Sequence, residues 1–300
     1  MPKNKTKSFS VSIITVFSLL IIVFAGIIIG YNYQKSSSNS YIAAKDINRK
    51  ITDNVKDRII NLLREPSDSL SILSGVSDRL SDIRPLMWEI LASEREYASI
   101  FYGDQDGGFL QVRRNPELAE RLISEVDGER TDTWIYMDWD GNILRTESTP
   151  ASYDPTSRVW YRESLQQGQF YLSPPYIFAS TNEPGITIST PRYGEEGDRE
   201  GVYAIDITMS GLVQFIRKQS AITQGEIVIY DQDNRVIAST LDDDSALLLR
   251  RLEDMGSRIL ATIIATPDAE TVQDEEGVAY IFTTASFATG YGERWNIITY

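Results

Sequence analysis

The chain has 300 residues, a hydrophobic content of 42% and a formal net charge of −14. This length allows about two domains, and the negative charge argues against binding to nucleic acid or to anionic lipid through a basic face. The sequence contains no Cys and no His, which excludes thiol nucleophiles, imidazole bases, Cys/His zinc sites and disulfides. Any reaction chemistry would depend on carboxylate, hydroxyl or amine groups.

The N-terminal segment predicts a membrane anchor. Residues 9–31 carry no charge, and as a helix they are long enough to span a hydrocarbon core of ~30 Å. Lys3, Lys5 and Lys7 precede this run, so residues 1–8 are expected to be a cytoplasmic tail, with the rest of the chain outside. A cleaved signal peptide is the alternative, although the run is longer than a typical signal core and no clear cleavage site follows it.

Residues 32–95 are expected to form a polar juxtamembrane leader and a long helix. Apolar residues recur every three to four positions in two runs, from Ile47 to Leu63 and from Leu70 to Ile83. Pro66 is expected to break or kink the helix, and the second run is expected to end near Pro85. The stripes allow two interpretations, packing on the sheet of the same domain or a dimer seam, and one helix can do both. The leading helix favours a parallel homodimer.

From Tyr97 onward the sequence predicts short strands separated by turns. Asn115-Pro116-Glu117 has the cap and the early proline of a helix start, so a helix is expected there. Residues 133–146 predict a hairpin whose turn is 138–142. Later elements are expected as helices at 159–167 and 210–218, and as strands at 185–190, 201–208, 278–284 and 295–299.

The hairpin has a second copy. Residues 135–144 recur without gaps as residues 228–237, and each copy places Asp before a residue that tolerates positive φ, Gly141 in the first and Asn234 in the second. Matched strands and turns predict two similar modules. Two unrelated turns that share common turn chemistry are the alternative.

The expected modules cover residues 96–220 and residues 221–300. We expect the first to be membrane-distal and to bind a ligand, and the second to be membrane-proximal and to relay the signal. The chain stops inside an expected strand with no second apolar span. The proximal module and an output domain beyond it are therefore expected to be truncated.

Residues 153–206 combine residue types that suit a small zwitterion. Arg158 offers a planar guanidinium for a carboxylate, and Trp160 and Tyr161 add polar tips on apolar rings. Asp206 lies between two Ile residues on an alternating strand, so its carboxylate is expected to be partly buried and to need a partner. A structural Arg with two core aromatic residues is the alternative.

In type and order these residues resemble the double-Cache family of extracytoplasmic sensor domains, whose modules are similar to tandem PAS domains. The resemblance covers roughly residues 40–300. It implies an α/β (α+β) fold, with a long N-terminal helix carrying two tandem PAS-like antiparallel-sheet modules, preceded by one transmembrane helix.

A narrower resemblance is to the amino-acid-binding subclass of this family. The residues that match its motif are Tyr153, Arg158, Trp160, Tyr161, Tyr176 and Asp206. The resemblance implies that Arg158, Trp160 and Tyr161 hold the ligand carboxylate, while Tyr153, Tyr176 and Asp206 hold its ammonium. The family motif has an acid two positions after the second Tyr, where this chain has Phe178. The change weakens the case for a free α-amino acid and keeps open a ligand whose other end is less charged.

The resemblance implies the sensing domain of a transmembrane signal-transduction receptor in the inner (plasma) membrane, with residues 32–300 periplasmic or extracellular. The ligand would be an amino acid, an amine or an organic acid, and the output a kinase, cyclase or chemotaxis domain. We expect no enzyme activity in these residues and no nucleic-acid partner. The alternatives are a partner-binding or structural ectodomain with a vestigial pocket, and an anchored hydrolase that uses carboxylates.

No cofactor or metal site is expected. Two acidic groups, 231–234 and Asp242–Asp244, raise the possibility of calcium, but both lack the spacing of a calcium-binding loop.

Overall fold

The computed structural model describes residues 5–75, 80–126, 128–178, 181, 183–194, 196–241 and 250–300. Val76 of the second apolar run and the acidic group Asp242–Asp244 lie outside these residues. The chain divides into two compact units, Met1–Lys50 and Ile51–Tyr300.

The first helix, α1, spans Lys5–Gly75. From Thr15 onward it contains an 18-residue window with a mean hydropathy of 2.2, none of which is buried. The large apolar side chains from Val16 to Ile29 are exposed. Among the described helices, only α1 is long and apolar enough to cross a membrane.

Both prolines expected to interrupt the helical region lie inside helices. Pro66 lies within α1, which continues to Gly75, and Pro85 lies within α2, Leu80–Ser93. The predicted break at Pro66 and the predicted end near Pro85 are therefore wrong, while the alternative of a kink at Pro66 stays a prediction. Buried leucines, Leu63 and Leu70, flank Pro66 on the helix face that packs into the core, and this packing outweighs the local proline signal.

The apolar stripe of the second unit packs into the core of its own chain. Ile51, Val55, Ile59, Leu62 and Leu63 are buried in one cluster with residues of both main sheets. Ile47, at the start of the predicted stripe, is exposed. The packing interpretation is thus confirmed from Ile51 onward, and the dimer stays a prediction.

The larger sheet has nine antiparallel strands in the order β5-β4-β3-β2-β1-β9-β8-β6, with β7 also paired to β8. Their bounds are β1 Tyr97–Asp104, β2 Phe109–Arg113, β3 Ala119–Val126, β4 Glu129–Met137, β5 Ile143–Pro150, β6 Tyr171–Leu172, β7 Tyr176–Ile177, β8 Pro184–Tyr193 and β9 Arg199–Thr208. A short 3-10 helix, Pro155–Ser157, and helix α3, Val159–Gln167, cross one face.

The helix expected from the Asn115-Pro116-Glu117 signal is wrong, because strand β3 begins at Ala119. This strand pairs with β2 over Ala119–Ile123 and with β4 over its whole length. These two ladders of backbone hydrogen bonds outweigh a helix-start signal of three residues.

The smaller sheet has four antiparallel strands in the order β11-β10-β15-β14. The bounds are β10 Ile227–Asp231, β11 Val236–Ser239, β14 Thr283–Ala288 and β15 Arg294–Thr299, with a separate pair β12 Thr271–Gln273 and β13 Ala279–Ile281. Helix α4, Met209–Thr223, follows β9, and α5, Arg258–Ala265, precedes β12. The sheets fall within the expected modules, whose boundaries stay predictions.

The duplicated hairpin turns are confirmed in detail. Gly141 and Asn234 both have positive φ, at 82° and 61°. In each turn the leading Asp, Asp138 or Asp231, accepts backbone N–H groups two and four residues ahead. Asp104 makes the same two bonds at the turn between β1 and β2.

Sheet position matches the second copy to the hairpin β1–β2, and the sequence alignment with β4–β5 is wrong as a structural correspondence. The order β2-β1-β9-β8 in the larger sheet corresponds to β11-β10-β15-β14 in the smaller one. Residues 104–106 and 231–233 are both Asp-Gln-Asp. The same Asp-led turn therefore occurs in three hairpins: β1–β2, β4–β5 and β10–β11. The structural counterpart of β10–β11 is β1–β2, and the turn of β4–β5 lies at the edge of the larger sheet.

Replacing Leu63 by Ala is expected to lower the free energy of unfolding by about 2–5 kcal/mol, because a fully buried side chain of the shared core is lost. Ile72→Ala, on the same helix at a side chain that is 55% exposed, is expected to change it by less than about 0.5 kcal/mol. Denaturant unfolding of the full chain in detergent micelles, followed by tryptophan fluorescence, measures both. Equal losses would contradict the assigned buried face.

Candidate functional site

A cavity of about 710 Å³ lies against one face of the larger sheet, beneath residues 152–178, which we call the covering segment. Its volume is in the range of small-molecule sites. From the sheet it is lined by Phe101, Phe109, Gln111, Arg113, Arg121, Trp134 and Asp206, and from the covering segment by Ser152, Tyr153, Arg158, Val159, Trp160, Ser173, Pro174, Pro175, Tyr176 and Phe178. Five of the six predicted site residues are therefore together.

Two rows of cross-strand partners form the floor of this cavity. Paired residues point to the same face of a sheet, so the pairing register fixes which side chains meet. One row is Thr187, Asp206, Ser99 and Arg113, and the next is Ser189, Ala204, Phe101, Gln111, Arg121 and Trp134. Tyr203, Ile205 and Ile207 point the other way, into the core that contains α1. The predicted alternation of this strand is confirmed.

Asp206 is a buried carboxylate held by hydroxyl groups. One oxygen, Oδ2, accepts from the Ser99 hydroxyl at 3.0 Å, and Oδ1 accepts from the Thr187 hydroxyl at 2.6 Å. Burial raises the pKa of Asp206 to about 7, and the two hydroxyl bonds only partly oppose this shift. The carboxylate therefore lacks a cation, and a ligand ammonium in the cavity would stabilise its charged form.

Tyr176 extends this hydrogen-bond chain toward the cavity. Its hydroxyl lies 2.6 Å from the Thr187 hydroxyl. Because Thr187 gives its hydrogen to Asp206, Tyr176 donates to Thr187 and keeps its own lone pairs free. The Thr187 backbone N–H also donates to Ser173 Oγ at 2.9 Å, which ties the covering segment to strand β8.

Arg158 lies where the short 3-10 helix passes into α3, and it is exposed to the cavity. Its guanidinium is centred 4.5 Å from the middle of the Tyr153 ring. Within the described residues, Arg158 has no ion pair. Burial raises the pKa of Tyr153, and the positive charge of Arg158 opposes this shift. The guanidinium can thus meet a ligand carboxylate.

Trp160 is fixed at the junction of the covering segment and the floor. Its ring meets Phe101 edge to face at a centroid distance of 4.9 Å, and its carbonyl accepts from the Ser189 hydroxyl at 3.0 Å. These contacts hold the start of α3 on the sheet.

Tyr161 is the predicted site residue that the structure does not bring to the cavity wall. It follows Trp160 on a helix, where successive side chains turn by about 100°. Its ring packs in a cluster with Trp160 and Val202. Burial, with further contributions from Asp104 and other acids, raises the pKa of Tyr161 to about 12. The expected contact of Tyr161 with a carboxylate is therefore not matched by the geometry.

Three cavity residues that sequence reasoning missed form a stacked group. The Arg113 and Arg121 guanidinium groups lie 3.9 Å and 4.9 Å from the centre of the Trp134 ring. Arg121 also makes a bidentate pair with buried Asp132 at 3.0 and 2.7 Å. The alternation Phe109, Gln111, Arg113 was the available signal, because it places two polar side chains on the face opposite Leu110 and Val112.

Phe178 contributes an aromatic wall where the resembling motif has an acid. The ring is buried, lines the cavity and meets Tyr176 edge to face at 5.1 Å. It lies so close to Gly185 that a Cβ there would come within 2.2 Å of it. Asp206 is therefore the one carboxylate among the described residues that line the cavity. The described residues also contain no cluster of three or more acids able to hold a metal.

The family model described as methyl-accepting chemotaxis protein-like, first PDC sensor domain, matches residues 95–214. Methyl-accepting chemotaxis protein McpA of Bacillus subtilis is 29% identical over 131 residues, 42% of this chain and 19% of that protein. Adenylate cyclase 1 of Rhizobium meliloti is 21% identical over 261 residues, 79% of this chain and 38% of that protein.

Among solved structures, the ligand-binding domain of the Pseudomonas aeruginosa PAO1 amino acid chemoreceptor PctC, in complex with GABA, is similar with a TM-score of 0.55. The identity is 17%, over 87% of this chain and 98% of that chain. The likeness confirms the expected fold class, a long helix with two antiparallel-sheet modules. The chain spans only 19% and 38% of the length of the two curated relatives above.

The elevated pKa of Asp206 predicts a pH dependence of folding. The folded protein binds this proton more tightly than the unfolded chain, so stability falls as pH rises from about 4 to about 7. Asp206→Asn is expected to remove this fall, a relative gain of at most about 4 kcal/mol between pH 4 and pH 8.

Thermal unfolding of the full chain in micelles across this pH range measures the effect. Asp140→Asn, at an exposed turn position, is the matched control and should follow the parent profile. Parallel profiles for the parent and Asp206→Asn would show that Asp206 is not the buried titrating group.

Proposed function

We propose that this chain, whose residues 95–214 match the model of a PDC sensor domain, is the extracytoplasmic ligand-binding part of a transmembrane signal-transduction receptor. The observation that carries the proposal is the cavity with opposite charges at its two sides. Arg158 and buried Asp206 both line it, and neither has an ion-pair partner among the described residues. The ligand is a small molecule with both a carboxylate and an amine, such as an amino acid.

In this proposal the ligand carboxylate binds Arg158 beside Trp160. The ammonium binds Asp206, and the phenol oxygens of Tyr153 and Tyr176 accept its remaining hydrogens. The PctC domain named above was solved with GABA, which carries these two groups. Tyr161 would act by supporting Trp160, since it does not line the cavity.

The floor strands connect the site to α1. Asp206 faces the cavity, while Ile205 and Ile207 pack in the core with Ile59 and Leu63 of α1. A ligand that closes the covering segment on the floor would change the packing of this helix. It can shift the receptor only by the difference in its affinity for the two states.

The proposal extends to topology. The apolar part of α1 would anchor the chain in the inner membrane, with residues 32–300 outside, and the output would be chemotaxis signalling, as in McpA, or a cyclase, as in the Rhizobium relative. A homodimer would use faces of α1 other than the buried stripe from Ile51 to Leu63. Phe178 favours one other candidate, a partner-binding ectodomain whose pocket no longer binds a ligand.

Arg158→Gln and Asp206→Asn are each expected to weaken ligand binding by about tenfold or more, because each removes a charge-assisted hydrogen bond. Calorimetric titration of the full chain in nanodiscs with GABA and the proteinogenic amino acids measures this. Arg162→Gln, an exposed position one turn further along α3, is the control and should bind as the parent does. Binding that survives both substitutions would place the site elsewhere, and no binding across the panel would favour the partner-binding candidate.

The protonation of Asp206 predicts how affinity depends on pH. An ammonium group requires the ionised carboxylate, so below pH about 7 the dissociation constant should rise by up to tenfold per pH unit. The same titration at pH 5.5, 6.5 and 7.5 measures the slope. Arg158→Gln should keep the slope while weakening binding, and a flat parent profile would exclude contact between Asp206 and the ammonium.

A further inference from the structure

Arg113 is a buried cation in the cavity floor, and the motif of the amino-acid-binding subclass gives it no role. Its residue is 7% exposed, and it lines the cavity. Its guanidinium lies flat against Trp134, 3.9 Å from the ring centre. The Nε atom is buried with no hydrogen-bond partner in the described part of the chain. Tyr136 gives the guanidinium one side-chain hydrogen bond but no carboxylate, so the buried cation still lacks an anion.

The described acids near Arg113 are engaged elsewhere. Glu117 acts on Arg113 through space but is ion-paired with Arg145. Asp132 accepts hydrogen bonds from two of the three guanidinium nitrogens of Arg121. Across the described residues no carboxylate lies within ion-pair distance of Arg113. Its anionic partner would therefore come from outside the protein.

The sheet register sets Arg113 opposite Asp206. Both residues pair with Ser99, one on each side, so they lie in one row across three neighbouring strands. Two strand spacings separate their backbones by roughly 10 Å. A ligand whose ammonium binds Asp206 can therefore direct another group, several bonds away, toward Arg113, while Arg158 approaches from the covering segment.

The charges of the cavity favour an anionic ligand. Arg121 is neutralised by Asp132, which leaves Arg113 and Arg158 against the single carboxylate of Asp206. A neutral zwitterion would leave one positive charge without a counter-charge. Phe178 adds no negative charge at the position where the resembling motif has an acid.

We propose that Arg113 determines ligand specificity by binding a second carboxylate, so that the preferred ligands are amino acids with an acidic side chain and a net charge of −1. The inference rests on the proposed function of the same cavity. It adds the chemical class of the ligand, and it assigns a role to the arginine that stacks on Trp134.

Two pairs of amino acids test the class on the unmodified protein. L-glutamate is nearly isosteric with L-glutamine, and L-aspartate with L-asparagine, so each pair differs mainly in the second charge. Calorimetric titration of the full chain in nanodiscs is expected to show at least about tenfold tighter binding of the acid in one pair. Equal or tighter binding of the amides or of other neutral amino acids would overturn this inference and leave the proposed function standing. If no amino acid binds, the proposed function itself fails.

Substitutions at Arg113 test the residue. Arg113→Gln is expected to weaken binding of the preferred acid by about tenfold or more and to change binding of its amide by less than about threefold. Arg113→Lys keeps the charge and should keep a preference for the acid. Arg162→Gln, which removes one exposed charge from α3, should leave both affinities unchanged.

Circular dichroism of each variant checks that it folds. If Arg113→Gln does not fold, the assignment is judged from two other measurements. These are the preference of the parent for each acid over its amide, and the same preference in Arg113→Lys. A folded Arg113→Gln protein that still prefers the acid would overturn the assignment to Arg113.

Discussion

The burial of one carboxylate in an otherwise apolar strand governs the arrangement of the site. Strand β9 must place Ile205 and Ile207 in the core with α1, and a period of two then turns Asp206 to the opposite face. An unpaired carboxylate at that depth is costly, and the hydroxyl groups of Ser99 and Thr187 only partly offset the cost. A bound cation would offset the remaining free-energy cost of burying the carboxylate. Asp206 therefore lowers the stability of the empty domain and would raise that of a domain with a bound cation.

Besides Asp206, which has no cationic partner, the cavity is lined by three arginines whose side chains are fixed to different degrees. Arg121 is fixed by its bidentate pair with Asp132, and Arg113 is flattened on Trp134. Arg158 is more exposed and leans on the Tyr153 ring. The two floor cations are therefore pre-organised, and Arg158 is the cation that would adjust to a ligand. Pre-organised charges bind tightly because little conformational entropy is lost when the ligand arrives.

Much of this could be predicted where a single strand or turn carries the signal. The alternation around Asp206 placed it correctly, and the Asp-led turns were visible because the Asp side chain and a positive-φ residue are close in sequence. The alternation of strand β2 could place Arg113 on the same face as Phe109 and Gln111, but not against Trp134, because that residue lies two strands away and register is not readable from one strand. Tyr161 lies outside the cavity lining because it follows Trp160 on a helix, where neighbours in sequence do not share a face, and its role stays a prediction. A helix was expected where strand β3 lies, because the pairing of β3 with β2 and β4 is a tertiary contact that the local sequence does not show.

In the proposed receptor, the contacts of the covering segment would carry the effect of a bound ligand to the floor of the cavity. The floor belongs to a nine-stranded sheet whose buried side chains share one core with those of α1, and close-packed cores do not deform continuously. The covering segment is held on strand β8 by the pairing of β6 and β7 with that strand, by the bond from the Thr187 N–H to Ser173, and by the bond from the Ser189 hydroxyl to the Trp160 carbonyl. Strand β8 pairs with β9, so a change in the covering segment reaches the Asp206 strand through its neighbour rather than through the ligand alone. A ligand that held Arg158 and Asp206 together would stabilise one position of this segment, and the difference in its affinity for the two states would set the size of the proposed signal.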